Sequence, residues 1–470
     1  MTISQAKTVA IIGAGPVGLA AAAHALERGL VPVVLEAGPE AGHAVRQWNH
    51  VRMFSPWEYN IDKAAERLLV GAGWNAPDPK AYPTGGDMIA RYIEPLATRT
   101  GLKDQIKTHS RVTAISRVGF DKAKTKGRET APFQIRYQNG KVPETLKTDA
   151  VIDTSGTWFA PNPAGANGLP AIGESDMARR VAYGMPAVLD GDRARYAGKA
   201  VAVLGAGHSA IGTLIYLVQL ASQDAGTRVI WLLRGDRPEK AFGGGANDKL
   251  SARGELGSTF AALVRHGKLQ VETSFGVTHL TENDGKLRIA AGSACCGRHV
   301  VADELIVATG FRPDLSILSE LRLGLDSALD CPMALAPLID PNEHSCGTVR
   351  PHGARELEHP EPGFYIAGMK AYGRAPTFLM LTGYEQVRSI VADIVGDKKA
   401  AARLELVLPE TGVCNSPPVG VVEGCCGEPA IVDASACCSA DETAKVEGKA
   451  GCGCGPAAGA EPMKSSACCG

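Results

Sequence analysis

Long apolar runs and an excess of one charge are both missing from this 470-residue chain. No run of about 18 uncharged apolar residues occurs, so no membrane-spanning helix is predicted. The apolar stretch at 9–26 is interrupted by glycines and lacks a basic n-region, which argues against a secretory signal peptide. Lys and Arg (49) nearly balance Asp and Glu (50), so neither a nucleic-acid nor a membrane partner is predicted. We therefore expect a cytoplasmic protein.

Cysteine is missing from the first 294 residues, and nine of the 13 cysteines lie at or after Cys414. This uneven placement offers no regular disulfide framework of the kind that secreted proteins use. A redox disulfide in the N-terminal part, of the C-x-x-C or C-x4-C type, is disfavoured. Such a role would need the adjacent Cys295 and Cys296 to fold into place.

A buried strand, a glycine turn and an alanine-rich helix follow one another near the N-terminus. In a G-x-G-x-x-G turn, Gly13 allows the tight turn, Gly15 lets a pyrophosphate approach the backbone, and Gly18 lets helix and strand pack closely. The next strand ends in Glu36, where a carboxylate that binds a ribose is expected. Two strands, a helix and a terminal acid around the glycine turn together predict a dinucleotide site. The alternative is a glycine-rich turn without a ligand.

The same pattern returns about 190 residues later, in the segment with Gly205, Gly207 and Ala210. An internal duplication of a dinucleotide-binding unit implies two dinucleotides, most simply a tightly held flavin and the nicotinamide that reduces it. His208 lies inside the second turn. It is interpreted either as a residue that packs at the helix start or as a contact to phosphate or nicotinamide.

The strand after the second turn ends in basic residues, Arg234 and Arg237. NAD sites carry an acid at this place, whereas arginine suits a 2′-phosphate. NADPH is therefore predicted at the second site, with both arginines as contacts. Solvated surface arginines are the alternative interpretation.

Hairpin turns are predicted at Asn139-Gly140 and at Asp284-Gly285. Helices are predicted at about 61–69, at 88–97 after an N-cap at Thr84, and at 377–395. The predicted fold class is α/β, with two Rossmann-like domains and a disordered Cys-rich tail. The predicted domains are a discontinuous FAD domain at 1–160 and 301–400, an NADPH domain inserted at 190–300, and the tail at 409–470.

The order of motifs GAGPVG, VLEAG, DTSGT, VLGAGHSAIG, LLRGDR, VATGFRPD and GFYIAG resembles that of the two-dinucleotide flavoproteins. It is most similar to the flavin-containing, class B-type monooxygenases, over residues 8 to about 395. The resemblance implies FAD on the first glycine turn and NADPH on the second. It also implies that Thr309 and Gly310 form the chain crossover after the nicotinamide insert, and that Gly368 approaches the flavin.

Two positions depart from the pattern of these relatives. An Asp that often follows the last glycine is Met369 here. The F-x-G-x-x-x-H signature of the monooxygenases is also absent, because the candidate segment from Phe159 to Gly165 lacks the histidine. No protein acid or base is singled out, so the catalytic residues stay unknown.

The tail carries paired cysteines on a glycine-rich chain, with Ser-Ala-Cys-Cys recurring along the sequence. Soft thiol donors suit soft ions such as As(III), Hg(II), Cd(II), Cu(I) or Zn(II), and an idle tail is the alternative. Such ends resemble those of proteins from arsenic-resistance gene clusters. The predicted metal or metalloid ligands are Cys425, Cys426, Cys437, Cys438, Cys452, Cys454, Cys468 and Cys469.

Three functions remain in competition. The first is an FAD- and NADPH-dependent monooxygenase of a small organic or soft-heteroatom substrate, such as an arsenical. The second is an NADPH-dependent reductase that passes electrons to a metal or metalloid held by the tail thiols. The third is a metal-handling flavoprotein scaffold. The oligomeric state stays open.

Overall fold

A computed structural model describes residues 6–243, 250–292, 297–343, 351–375 and 378–406. All of them lie within one compact unit, Met1–Ser416. The eight predicted tail ligands, the Cys295-Cys296 pair and the tail at 409–470 lie outside the described residues. Among the helices of the described ranges, none is both long and apolar enough to cross a membrane.

The strands of the described residues, in chain order, are β1 (Thr8–Ile12), β2 (Val31–Leu35), β3 (Ile106–Lys107), β4 (Ser110–Arg117), β5 (Phe133–Asn139), β6 (Val142–Thr148), β7 (Ala150–Asp153), β8 (Val181–Tyr183), β9 (Ala200–Leu204), β10 (Arg228–Leu232), β11 (Gln270–Glu272), β12 (Val277–Asn283), β13 (Lys286–Ala291), β14 (Arg298–Ala302), β15 (Glu304–Val307) and β16 (Phe364–Ile366). The α-helices are α1 (Pro16–Glu27), α2 (His43–Arg46), α3 (Lys63–Gly71), α4 (Gly85–Met88), α5 (Glu94–Arg99), α6 (Arg193–Tyr196), α7 (His208–Gln223), α8 (Ser251–Arg265), α9 (Ala336–Ile339), α10 (Met380–Ile394) and α11 (Lys398–Ala402).

Two parallel five-stranded sheets organise the molecule. The first sheet has the order β16-β7-β1-β2-β3, and the second has the order β11-β10-β9-β15-β8. Strands β7, β9, β15 and β16 are buried along their whole length, as expected of a parallel sheet with both faces covered. The predicted α/β fold class with two Rossmann-like units is therefore confirmed.

The duplicated units also share their register. Thr8 to Ile12 of β1 lie opposite Val31 to Leu35 of β2, and Ala200 to Leu204 of β9 lie opposite Arg228 to Leu232 of β10. Each of these strand pairs is five residues long, and a helix that begins at the glycine turn connects its two strands. The domain limits at 160, 190 and 300 stay predictions, although β8 and β15, which flank the span 190–300, join the second sheet.

Two three-stranded antiparallel sheets, β4-β5-β6 and β12-β13-β14, are the other sheets in the described part of the chain. Asn139 lies opposite Val142 in the first and Asn283 opposite Lys286 in the second, so both predicted hairpins are confirmed.

The predicted helix at 88–97 begins earlier than expected, at Gly85. Thr84 is its N-cap, as predicted, and the Thr84 hydroxyl and the Asp87 carboxylate form a reciprocal capping box that overrides the poor helix propensity of two glycines. The helix then widens into a π-helical turn at Ile89–Ile93 before α5.

Candidate cofactor site

The first glycine turn lies at the carboxyl edge of the first sheet, between β1 and α1. Gly13 has φ +97°, which glycine adopts without strain, and its N–H donates to the Leu35 carbonyl oxygen at 2.8 Å. Gly15 is the N-cap of α1, and Pro16 is its first residue. The positive end of α1 therefore faces the edge at which α/β sheets bind ligands.

The three glycines of this turn have different surroundings. A Cβ at Gly18 would lie 2.0 Å from the Gly13 carbonyl oxygen, whereas a Cβ at Gly13 would lie 3.1 Å from Ser155 Cα. At Gly15 a Cβ would meet no described heavy atom within 4 Å. Packing thus leaves no space for a side chain at Gly13 or Gly18. At Gly15 the open space is compatible with a bound pyrophosphate.

Glu36 follows β2 and is only 8% exposed. Its Oε2 accepts from the Ala14 N–H at 2.8 Å and its Oε1 from the Gly38 N–H at 2.7 Å. These two backbone donors fix the carboxylate beside the glycine turn. Each oxygen keeps a further acceptor position, so the group can also accept ribose hydroxyls. The role of Glu36 in binding FAD stays a prediction that this geometry permits.

The second glycine turn joins β9 to α7 in the same way. Gly205 has φ +138°, and a Cβ there would lie 2.4 Å from the Ala308 carbonyl oxygen. Gly207 is the N-cap of α7, and a Cβ there would meet no described heavy atom within 4 Å. The third position is Ala210, which is buried. This turn has the same open middle position as the first.

His208 is the first residue of α7, and its ring centroid lies 5.1 Å from that of Phe54. This contact joins the second turn to the aromatic segment at 48–59. Within that segment the aromatic side chains differ in their surroundings. Trp48 and Phe54 line the central cavity, whereas Trp57 is buried in the core with Arg91 over its ring.

Arg234 and Arg237 follow β10 and are both exposed. The Arg234 guanidinium donates to the Ala166 carbonyl oxygen at 3.1 Å, and Arg237 lies 4.0 Å from its neighbour Asp236. Both lie beyond the strand end at which a dinucleotide ribose is expected, so their role as NADPH contacts stays a prediction.

Thr309 and Gly310 lie where the chain passes between the two sheets. The Asn162 N–H donates to the Gly310 carbonyl oxygen at 2.9 Å, and the Arg312 N–H donates to the Ala160 carbonyl oxygen at 2.9 Å. We call these two antiparallel stretches, 157–162 and 309–312, the crossing segments. The roles of Thr309 and Gly310 as the crossover after a nicotinamide insert and as cofactor contacts stay predictions.

A cavity of about 700 Å³ lies between the two glycine turns. Its walls come from the first turn, the aromatic segment, the crossing segments, the start of α7, α8 and the Gly368 loop. The predicted site residues that line it are Gly13, Gly15, Glu36, His208 and Gly368. The predicted site residues outside its lining are Gly18, Gly205, Gly207, Ala210, Arg234, Arg237, Thr309 and Gly310.

Lys370 is a residue of this cavity wall that the sequence did not single out. Its ammonium group donates to Asp153 Oδ2 at 2.8 Å and to Ser155 Oγ at 3.0 Å. Lys370 is 2% exposed and Asp153 is fully buried. One sequence feature could have indicated this pair. Asp153 and Lys370 are charged residues at or just after the carboxyl ends of buried parallel strands, where ligands bind.

The loop after β16 is fixed by a buried amide. Gly368, at φ +74°, donates its N–H to Gln386 Oε1 at 2.7 Å, and the Gln386 amide nitrogen lies 2.8 Å from His352 Nε2. Met369 lines the cavity where many relatives carry an Asp. Arg374, which follows in the chain, pairs with Asp330 and lies outside the lining.

Cys331 is the one cysteine within the described ranges. It is buried away from the cavity, and burial raises the pKa of its thiol to about 12. In the described part of the chain no group of three or more His, Cys, Asp or Glu side chains could hold a metal ion. Thus neither a thiolate nor a metal centre is found at the cavity in the described residues.

Several known proteins share this architecture. The bacillithiol disulfide reductase of Bacillus cereus aligns with a TM-score of 0.60 and 21% identity, over 84% of this chain and 100% of its own. The cadaverine monooxygenase of Erwinia amylovora aligns with a TM-score of 0.58 and 14% identity, over 87% and 99%. The ornithine N-hydroxylase of Kutzneria aligns with a TM-score of 0.55 and 16% identity, over 84% and 100%. These identities establish a shared fold.

The search of curated proteins found no match to the chain. A family model does match, over residues 10–333, which is well over half of the chain, and its description is pyridine nucleotide-disulphide oxidoreductase. The match spans both glycine turns and the crossing segments. The chain therefore belongs to the pyridine nucleotide-disulphide oxidoreductases, a family of flavin-dependent oxidoreductases.

Proposed function

We propose that this chain is an FAD-dependent oxidoreductase that consumes NADPH and oxygenates a small organic or soft-heteroatom substrate in the cytoplasm. The observation that carries the proposal is the cavity itself. It touches the first glycine turn and, through His208, the second, and no cysteine is among its described lining residues. Electrons that arrive there have no neighbouring thiol in the described residues to receive them.

The first turn fits an FAD diphosphate. Gly15 leaves open space beside the start of α1, and backbone N–H groups with a helix dipole attract phosphate there. Glu36 is already oriented by the Ala14 and Gly38 N–H groups, so it can accept the adenosine ribose hydroxyls at little further cost. When bound, FAD supplies the hydride-accepting and oxygen-reacting chemistry.

The second turn is suited to NADPH by its charge. Arg234 and Arg237 would bind the 2′-phosphate, and the Gly207 turn would bind the diphosphate. His208 and Phe54 line the cavity next to this turn, and they would hold the nicotinamide against the flavin-binding wall. The protein's contribution is to bring two ring systems together and to keep bulk water away from them.

The apolar part of the cavity lining favours a small organic substrate. Met185, Tyr216, Leu250 and Leu256 belong to this lining. Ligand sites of about this volume are lined mainly by apolar groups, with few polar ones. Two solved structures with the same fold are those of a cadaverine monooxygenase and an ornithine N-hydroxylase, which supports oxygen insertion as the reaction type.

The test uses the purified holoprotein. We expect about one FAD per chain, NADPH-dependent bleaching without oxygen, and substrate-dependent oxygen uptake once oxygen is returned. With ¹⁸O₂ and a substrate panel that includes arsenite, organoarsenicals and amines, a product should gain one labelled oxygen. Stoichiometric peroxide with no labelled product from any substrate would contradict the proposal.

A second candidate is an NADPH-dependent reductase that serves a metal or metalloid on the tail thiols. The paired cysteines of the sequence favour it, and they lie outside the described residues. Replacing the eight predicted tail ligands by serine in the full chain separates the two functions. Oxygenation should survive this replacement, whereas NADPH-dependent reduction of bound As(III), Hg(II) or other soft ions should be lost.

A further inference from the structure

A buried charge pair stands at the carboxyl edge of the first sheet. Asp153 is the last residue of β7, and Lys370 lies in the loop that follows β16, its neighbour in the sheet. The Ser155 hydroxyl donates to Asp153 Oδ1 at 2.6 Å, so both carboxylate oxygens are occupied. The pair is thus held in one geometry on a rigid part of the fold.

The pair borders the region assigned to the flavin. Lys370, Ser155 and Met369 all line the cavity, and a Cβ built on Gly13 in the tight turn would lie 3.1 Å from Ser155 Cα. The pKa of Asp314, another residue of the cavity wall, lies below its usual value. Its main cause is hydrogen bonding by Ser316, and the charge of Lys370 lowers it further.

A buried ion pair contributes little net stability, because desolvation of both charges offsets their attraction. The effect of the pair on a neighbouring ring does not cancel when one partner is removed. Removal of Asp153 leaves a positive charge near the ring, and removal of Lys370 leaves a negative one. Reduction of a flavin adds negative charge to its ring system. A nearby cation therefore favours the reduced form, and a nearby anion favours the oxidised form.

We propose that Lys370 and Asp153 form a positioning pair that sets the reduction potential and affinity of the flavin in the first site. The proposal rests on the proposed flavin site. The Lys370 ammonium balances the Asp153 carboxylate next to the cofactor, and it ties the Gly368 loop to the segment that follows β7 through Ser155.

Three variants test the sign of the effect. Asp153→Asn keeps a polar side chain and leaves Lys370 unbalanced, so the flavin potential should rise. Lys370→Met leaves Asp153 unbalanced, so the potential should fall and the Kd for FAD should increase about tenfold. The double variant removes both charges and should return the potential most of the way to the wild-type value.

A matched control lies in the same unit. Glu361 forms a buried ion pair with Arg117 and Arg128, and none of the three lines the cavity. Glu361→Gln should lower the midpoint of thermal unfolding and leave the flavin potential unchanged. This variant separates a loss of stability from an electrostatic effect on the cofactor.

The potentials are measured by dye-coupled reduction of the bound FAD, and the Kd values by recovery of flavin fluorescence on release. Opposite shifts in the two single variants support the proposal. Shifts of the same sign, or none, overturn it, and if Lys370→Met does not fold, Asp153→Asn against wild type still decides. A wild-type protein that binds no FAD at all would overturn the proposed function as well, which is a separate result.

Discussion

The two glycine turns share strand register and helix start but differ at the third position of the motif. In the first turn a Cβ at Gly18 would overlap the Gly13 carbonyl oxygen, at 2.0 Å. In the second turn the third position is Ala210, whose methyl group is fully buried. Helix α1 therefore lies closer to its turn than α7 lies to its own.

The charged residues near the two turns also differ, because those near the first turn are less exposed to solvent. Glu36 is buried and bonded to two backbone N–H groups, whereas Arg234 and Arg237 are exposed to solvent. A tightly closed site suits a cofactor that stays bound, and an open one suits a cofactor that leaves after each turnover. Under the proposed function, one motif thus provides a closed site for FAD and an open one for NADPH.

The largest expected effect is on the packing of α1. Gly18→Ala places a methyl group against the Gly13 carbonyl oxygen and 2.8 Å from Thr154 Oγ1, so the free energy of unfolding should fall by about 3 kcal/mol. Ala210→Gly in the second turn should cost about 1 kcal/mol. Urea unfolding of both variants checks this, and equal losses would show that the two helices pack alike.

The next effect concerns the retained cofactor. Glu36→Gln keeps the size of the side chain and loses its charge, so the Kd for FAD should rise by about tenfold to a hundredfold, as for hydrogen bonds to charged groups. Glu40→Gln removes an exposed acid that pairs with Arg46 and should leave the Kd unchanged. Flavin fluorescence on dilution measures both.

A smaller effect should separate the nicotinamide cofactors. Arg234→Ala should raise the KM for NADPH about tenfold, because one charge-assisted contact to the 2′-phosphate is lost, and should leave the KM for NADH unchanged. Arg228 at the other end of the strand β10 is the matched control. If Arg234→Ala and Arg228→Ala behave alike in steady-state assays, the arginine at 234 is only a solvated surface group.

The smallest effect is expected at His208. His208→Ala removes its contact to Phe54, and the KM for NADPH should rise about threefold, a change typical of one aromatic contact. Phe54→Leu is a matched change on the other side of the contact. A loss of turnover by orders of magnitude would instead assign His208 a part in the chemistry.

The sequence was sufficient for features that depend on local geometry. Gly13 and Gly205 need positive φ, and such turns between a buried strand and a helix have few other sequence solutions. The two hairpins follow from Asn139-Gly140 and Asp284-Gly285 for the same reason. The capping role of Thr84 is predictable from sequence as well, whereas the helix start at Gly85 is not, because glycines disfavour helix.

Features that depend on distant residues were not predictable. Lys370 and Asp153 are 217 positions apart, and Gln386 reaches Gly368 from a helix. Only the pairing of β7 with β16 brings these groups together. The division of the aromatic segment, with Phe54 in the cavity and Trp57 in the core, likewise depends on the fold and not on spacing.

The crossing segments have a consequence for how such a chain could arise. Asn162 and Gly310 are joined by one backbone hydrogen bond of 2.9 Å, so the 147 positions between them leave and return at almost the same point. An inserted unit with adjoining ends can be gained, lost or exchanged by recombination without moving the strands of its host. Under the proposed function, the nicotinamide specificity can therefore change together with such a unit, independently of the first sheet.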